Sequence, residues 1–383
     1  MTAGPGADRL APGTIAALYT GFLLTGAATV ILGSLVRHLH ADTGVPLPTL
    51  SWLFLVQFTS HSLGAIASSG NVRRSLVTGY PLVAAGLLAL LLGWPWALVA
   101  IAVMGFGLGL VIPSTNILVA RRHPHRRAAA LSHLNILWGA GAVCAPLVFA
   151  GLETGGRAGL GPLLIAVPFA VLAVLLPGRV PAIDAARSPE GGSQASLAVL
   201  SLIAVQMFLY TGAESSVGGW VISLAASYAP AGSTLPQVIG ASFWGALLTG
   251  RAAAPLVLEK FGETRVYVGA LAVAGAAAAL LLAAKSIPGI WAATLLAGLA
   301  CAPIFPVLAA RLVEYTHERC PSAAGPVFAV AGFGAGAVPW VAGQAVAMAG
   351  GVRAALVVPA VAVGLLLLLA MVAGPRRAGQ PVQ

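Results

Sequence analysis

One acid, Glu214, lies in the middle of a long apolar run, within Tyr210-Thr211-Gly212-Ala213-Glu214-Ser215-Ser216-Val217-Gly218-Gly219-Trp220. An ionisable side chain in such a setting is expensive, and by default it marks a functional position. Gln206, Tyr210 and Glu214 recur at i, i+4 and i+8, so an amide, a phenol and a carboxylate share one stripe of a helix. Such a set can bind H⁺ or Na⁺ and accept a hydroxyl proton from a solute; its other use is a packing bond to a neighbouring helix. Glu214 is therefore expected to couple a cation, with Gln206 and Tyr210 in substrate binding beside a helix weakened at Gly218-Gly219.

Other polar side chains pair on single helix faces. Gln57 and His61 are four apart, and Asn135 and Trp138 three apart, so each pair can offer hydrogen bonds or a stacking plane to a ligand. Interhelical bonding is the alternative use of Asn, Gln and His in a membrane. Trp244 is expected to stack on a solute, whereas Trp220, near a helix end, fits the interfacial aromatic belt. Counting along straight helices leaves Arg251 roughly 15 Å from Glu214 along the membrane normal. That spacing predicts a gating arginine rather than a direct ion pair.

The elements that must position these residues follow from composition. With 59% hydrophobic and 8% charged residues and a mean hydropathy of +0.95, the 383-residue chain has too little polar surface for a water-soluble fold. About 20 apolar residues cross a bilayer as a helix. Twelve stretches qualify, near 14–37, 49–69, 75–93, 95–120, 128–150, 160–177, 197–226, 236–258, 265–284, 287–312, 323–349 and 352–374. Strand alternation is absent, so the fold class is all-α integral membrane. Of the twenty Lys and Arg residues, Arg37, Arg157, Lys285 and Arg353 fall on one side and Arg251 inside the eighth stretch. The other fifteen share the side of the termini, which predicts cytoplasmic N- and C-termini. The first stretch lacks a basic start and a cleavage site, so it is expected to remain as a helix.

The sequence is internally doubled. Thr25-Gly26-Ala27-Ala28 with Gly33 returns 186 residues later as Thr211-Gly212-Ala213-Glu214 with Gly219. Gly105, Pro113, Gly139, Gly141 and Pro146 return 193 residues later as Gly298, Pro306, Gly332, Gly334 and Pro339. Between the copies, 178–196 is the one long polar stretch and is predicted to be a cytoplasmic linker. The expected organisation is a six-helix bundle over 1–177, the linker, and a second, pseudo-symmetric six-helix bundle over 197–383. Two such bundles with a binding site between them at mid-membrane suit alternating access.

Nearly the whole chain resembles the major facilitator superfamily. The loop Gly64-Ala65-Ile66-Ala67-Ser68-Ser69-Gly70-Asn71-Val72-Arg73-Arg74 keeps the glycine and arginines of that family's loop between helices two and three but lacks its Asp. Its counterpart, Glu259-Lys260-Phe261-Gly262-Glu263-Thr264-Arg265, keeps acid, glycine and base. The resemblance implies gating roles for Arg73, Arg74, Glu259 and Arg265. The Tyr210–Trp220 motif, with Phe243-Trp244-Gly245 and Gly250-Arg251, is similar to the fucose-permease branch, which includes sodium-coupled glucose carriers. That similarity implies cation-coupled uptake of a sugar, although the N-terminal acids of proton-coupled sugar permeases are missing and Asp42 is expected in an outer loop.

The function expected is secondary active transport, coupled to H⁺ or Na⁺, of a sugar or similar small polar solute across the cell inner membrane by a monomer. The alternative is proton-coupled efflux of drugs or other amphipathic compounds. A membrane enzyme would need converging nucleophile, base or metal ligands, and no such set is spaced along the chain; a receptor would bring a soluble domain. No cofactor, metal site or nucleic-acid partner is expected. Cys144, Cys301 and Cys320 imply neither disulfide framework nor zinc spacing. The basic run around His123-Pro124-His125 is expected to be topogenic charge near anionic lipid.

Overall fold

The computed structural model describes residues 12–68, 71–123, 127–180, 196–317, 320 and 323–372. Twelve helices among them are long and apolar enough to cross a membrane, numbered here as spans 1 to 12. They are Gly13–Val30, Leu47–Ala67, Val72–Leu92, Ala97–Arg122, Ala130–Glu153, Ala158–Leu175, Leu197–Ala226, Leu235–Phe261, Glu263–Ala283, Ile287–Thr316, Ala324–Ala349 and Val352–Met371. No strand occurs among the described residues. Most of the expected linker, Gly191 included, and Pro124–Arg126 lie outside the described residues. We call the face where span 1 begins the basal face and the opposite one the distal face.

The repeated glycines do the same work in both halves. A Cβ on Gly105 of span 4 would lie 2.4 Å from the Gln57 carbonyl oxygen of span 2. One on Gly298 of span 10 would lie 2.4 Å from the Phe243 carbonyl oxygen of span 8. The same holds between spans 1 and 5, where Gly141 abuts the Leu23 carbonyl, and between spans 7 and 11, where Gly334 abuts that of Phe208. Backbone-to-backbone crossings of this kind are how helices associate where lipid is as apolar as their side chains.

Two expectations about local structure are corrected. Span 7 is unbroken from Leu197 to Ala226, so Gly218-Gly219 does not interrupt it. In hydrocarbon an opened helix would strand its backbone groups, and both glycines instead admit neighbours: a Cβ on Gly218 would meet Trp244 at 2.5 Å, and one on Gly219 would meet Phe54 at 2.7 Å. The discontinuity is in span 10, between Ile287–Cys301 and Ile304–His317. Pro303 and Pro306 there each lack an N–H for the ladder. Trp220 is not a belt residue either, because it is wholly buried. Its indole N–H donates to the Pro339 carbonyl at 3.0 Å, and Gly343 leaves room for its ring.

A methyl group at one of these crossings should force two backbones apart. Gly298→Ala is expected to cost about 1–3 kcal/mol, the scale of overpacking, read as a lower melting temperature in detergent. Gly269→Ala, where nothing lies within 4 Å, serves as control and should be neutral or slightly stabilising. Equal melting of the two variants would refute the crossing.

Candidate functional site

Between the first six and last six spans lies a cavity of about 640 Å³. Its wall runs from Gly33, just past span 1, and Phe54 and Gly219, toward the distal ends of spans 2 and 7, to Asn116, Ser132 and Ala309 nearer the basal ends of spans 4, 5 and 10. Six of the expected site residues line it: His61, Asn135, Trp138, Glu214, Trp244 and Arg251. Trp138 of span 5 and Trp244 of span 8 meet edge to face, 6.0 Å apart at 81°, and join the two halves in the cavity wall. Tyr210 stands behind Glu214, buried among spans 7 and 10.

Gln57 and Gln206 are not on this wall. Gln57 is buried and donates to the Thr29 carbonyl at 2.7 Å, tying span 2 to span 1. Gln206 is buried one turn before Tyr210. Asn116, Thr211 and Ser215 line the cavity without having been singled out from sequence. Asn116 follows Pro113-Ser114-Thr115, a polar patch on span 4 that was legible but had no partner in the sequence.

The expected separation of Arg251 from Glu214 does not hold: Nη2 lies 3.2 Å from Oε2 and 3.5 Å from Oε1. Span 8 continues to Phe261, three residues past the expected end, which lifts Arg251 away from the basal face, and the long guanidinium stem covers the remaining gap. Tyr210 Oη also bonds Glu214 and lies 2.8 Å from the Cys301 carbonyl oxygen at the break in span 10. Glu214 and Arg251 are the only charged side chains among the described residues lining the cavity.

The distal side is sealed by polar links between halves. Gln237 of span 8 accepts from Ser34 at 2.7 Å and donates to Glu153 at 3.0 Å. Glu153, at the end of span 5, is also paired with Arg37, which lies on the helix Leu32–Thr43 continuing span 1. That helix carries the exposed Asp42, so Asp42 is helical and not in the outer loop expected from sequence. Gln344 of span 11 donates to the Pro48 carbonyl and to Ser51 Oγ, both at 3.0 Å. Two basal polar contacts stay within halves: Arg73 donates to the Pro177 carbonyl at 3.1 Å, and Arg311 to Glu263 at 2.8 Å. Arg74, Glu259 and Arg265 are exposed.

Neither a family model nor a curated protein matches the sequence. Solved structures do match it. The E. coli fucose:proton symporter FucP superposes with a TM-score of 0.61 at 17% identity, over 96% of this chain and 100% of the other. A POT family transporter in complex with a thioalcohol-conjugated peptide gives 0.78 at 14% identity, over 96% and 97%. A FucP structure described as a Major Facilitator Superfamily transporter in the outward conformation gives 0.59 at 14%, over 93% and 99%. These likenesses show the fold: twelve spans in two pseudo-symmetric six-helix bundles of the major facilitator type.

The ion pair is open to a double-mutant cycle. Arg251→Gln alone leaves Glu214 short of a partner and should cost about 1–3 kcal/mol of stability. Glu214→Gln together with Arg251→Gln should cost clearly less than the sum of the single changes. Strict additivity in melting or denaturant titration would mean that the two side chains do not interact.

Proposed function

We propose that the protein is a secondary transporter working by alternating access, which couples H⁺ or Na⁺ to uptake of a small polar solute such as a sugar. The carrying observation is a mid-membrane cavity with a carboxylate–guanidinium pair in its wall and its distal side closed by bonds between halves. The count of basic residues supports taking the basal face as cytoplasmic and the membrane as the cell inner membrane. The cavity is then inward-facing. The modest superposition on an outward structure fits two bundles rocked relative to one another. Those bundles are 1–177 and 197–383, joined by 178–196 and acting as a monomer.

In this mechanism the distal links of Gln237 and Gln344 break as the basal side closes. Glu214 carries the coupling cation, and Arg251, Trp138, Trp244, His61 and Asn135 meet the solute; Tyr210 orients Glu214. Arg73, Arg74, Glu259 and Arg265 lie where the basal gate would close. The neighbours of this fold include a fucose symporter and a transporter holding a peptide conjugate, so the fold by itself leaves the solute class open. The wall also carries Phe22, Phe54, Phe58 and Phe305, and this aromatic lining favours a second reading, proton-coupled efflux of amphipathic compounds.

Glu214→Gln keeps size and hydrogen bonding while removing the titratable charge. In proteoliposomes it should abolish accumulation against a gradient and leave exchange of labelled for unlabelled solute largely intact. Accumulation with normal ion dependence in the variant would remove Glu214 from the coupling role. Export rather than uptake under an inward cation gradient would select the efflux reading.

A further inference from the structure

Arg251 is held more loosely than a partly buried guanidinium usually is. Only Nη2 comes within hydrogen-bond distance of Glu214, at 3.2 and 3.5 Å, where a tight charge-assisted bond measures about 2.7–2.9 Å. Its Nε is buried with no hydrogen-bond partner among the described residues. A guanidinium offers its donors as a planar fork matched to both oxygens of one carboxylate. Glu214 meets a single tine of it, and Arg251 is itself part of the cavity wall.

Glu214 has somewhere else to turn. Tyr210 Oη bonds its carboxylate and also faces the Cys301 carbonyl oxygen at 2.8 Å. One phenolic proton stands between two acceptors, so with Glu214 ionised one of them goes without it. With Glu214 protonated, the carboxyl O–H donates to Tyr210 Oη, and the phenol donates to Cys301. Each proton in that chain has one acceptor. The neutral acid is thus accommodated without Arg251, which is left without a carboxylate partner at mid-membrane, a costly state.

The groups facing Glu214 are Tyr210 on its own helix, Arg251 of span 8, Cys301 of span 10 and, across the cavity, His61 of span 2. None of these is an acid. We propose, building on the coupling role given to Glu214 above, that the solute is a small organic anion whose carboxylate takes both tines of Arg251 when a proton neutralises Glu214. Proton and anion cross together as an electrically neutral load. The edge-to-face Trp138 and Trp244, with Phe58 and Phe305, receive a flat or ring-shaped body behind the carboxylate.

The test uses matched pairs on the purified full-length protein: phenylacetate against phenylacetamide, and glucuronate against glucose, with binding measured at pH 5 and pH 7.5. At least one acid should bind ten-fold or more tightly than its neutral twin, and ten-fold more tightly at pH 5 than at pH 7.5. Glu214→Gln should bind that acid at pH 7.5 as tightly as the wild type does at pH 5, with the pH dependence gone. Arg251→Gln should lose the preference for the acid, and Arg251→Lys, which keeps charge but not the fork, should recover only part of it. Melting curves identify variants that fail to fold, and Glu214→Gln, which keeps shape, decides the matter where Arg251 variants do not fold. Neutral twins binding as well as the acids, no acid binding at all, or weaker acid binding in Glu214→Gln would each overturn the proposal. Proton-driven accumulation of glucose would refute the anion while preserving the transporter. Acid binding at Arg251 without counterflow of any panel member would preserve the site and refute transport.

Discussion

In a bilayer no hydrophobic force presses one helix against another, since lipid tails are as apolar as leucine. Everything in this fold depends on how the chain meets that constraint. It places glycine where two backbones cross, so that carbonyl oxygens sit where a Cβ would otherwise be, at Gly105 and Gly141 in one half and at Gly298 and Gly334 in the other. Dispersion and close dipoles then replace the missing force. Such contacts tolerate little slack, which supports the proposal that each set of six spans moves as one body.

The seam repeats this device in part: a Cβ on Gly336 of span 11 would lie 2.8 Å from the Phe54 carbonyl oxygen of span 2, and one on Gly33 would lie 3.1 Å from that of Gly218. On its distal side the halves meet through two amide side chains, Gln237 and Gln344, and through glycines facing aromatic rings, such as Gly219 on Phe54. Hydrogen bonds between membrane helices average only about 0.6 kcal/mol, and the Gln237–Glu153 bond, with a carboxylate acceptor, is the stronger of these links. At mid-depth the Trp138–Trp244 contact and the Glu214–Arg251 pair border one cavity. In the proposed alternating cycle, closing the seam and filling the cavity would be contests over the same surfaces.

Much of this architecture was legible because it is written in local composition. Apolar length gives the spans, and the 186- and 193-residue offsets give the duplication, whose meaning as backbone crossings appears only when Gly105 is found on Gln57 and Gly298 on Phe243. The stripe carrying Tyr210 and Glu214 was legible for the same reason, as i and i+4 are neighbours on any helix. Features that depend on tilt and reach were not. Arg251 looked remote because helices were counted as straight rods with an early end at 258. Gly218-Gly219 looked like a break because glycine has two uses, freedom and thinness, and sequence does not distinguish them. The sequence places Arg37 only as a basic residue on the side opposite the termini, and the continuation of the first helix to Thr43 brings it to Glu153.

That last pair has an electrical consequence. Arg37 and Glu153 both belong to the first six spans, so their opposite charges travel together when the seam opens, and what parts from them is the uncharged amide of Gln237. An elementary charge moved across the full membrane potential changes energy by about 2.3 kcal/mol per 100 mV; a dipole carried rigidly within one body changes it by far less. In the proposed cycle this pair would therefore add little voltage sensitivity to the distal gate, and the Glu214–Arg251 pair at mid-depth would be a place where membrane potential could act.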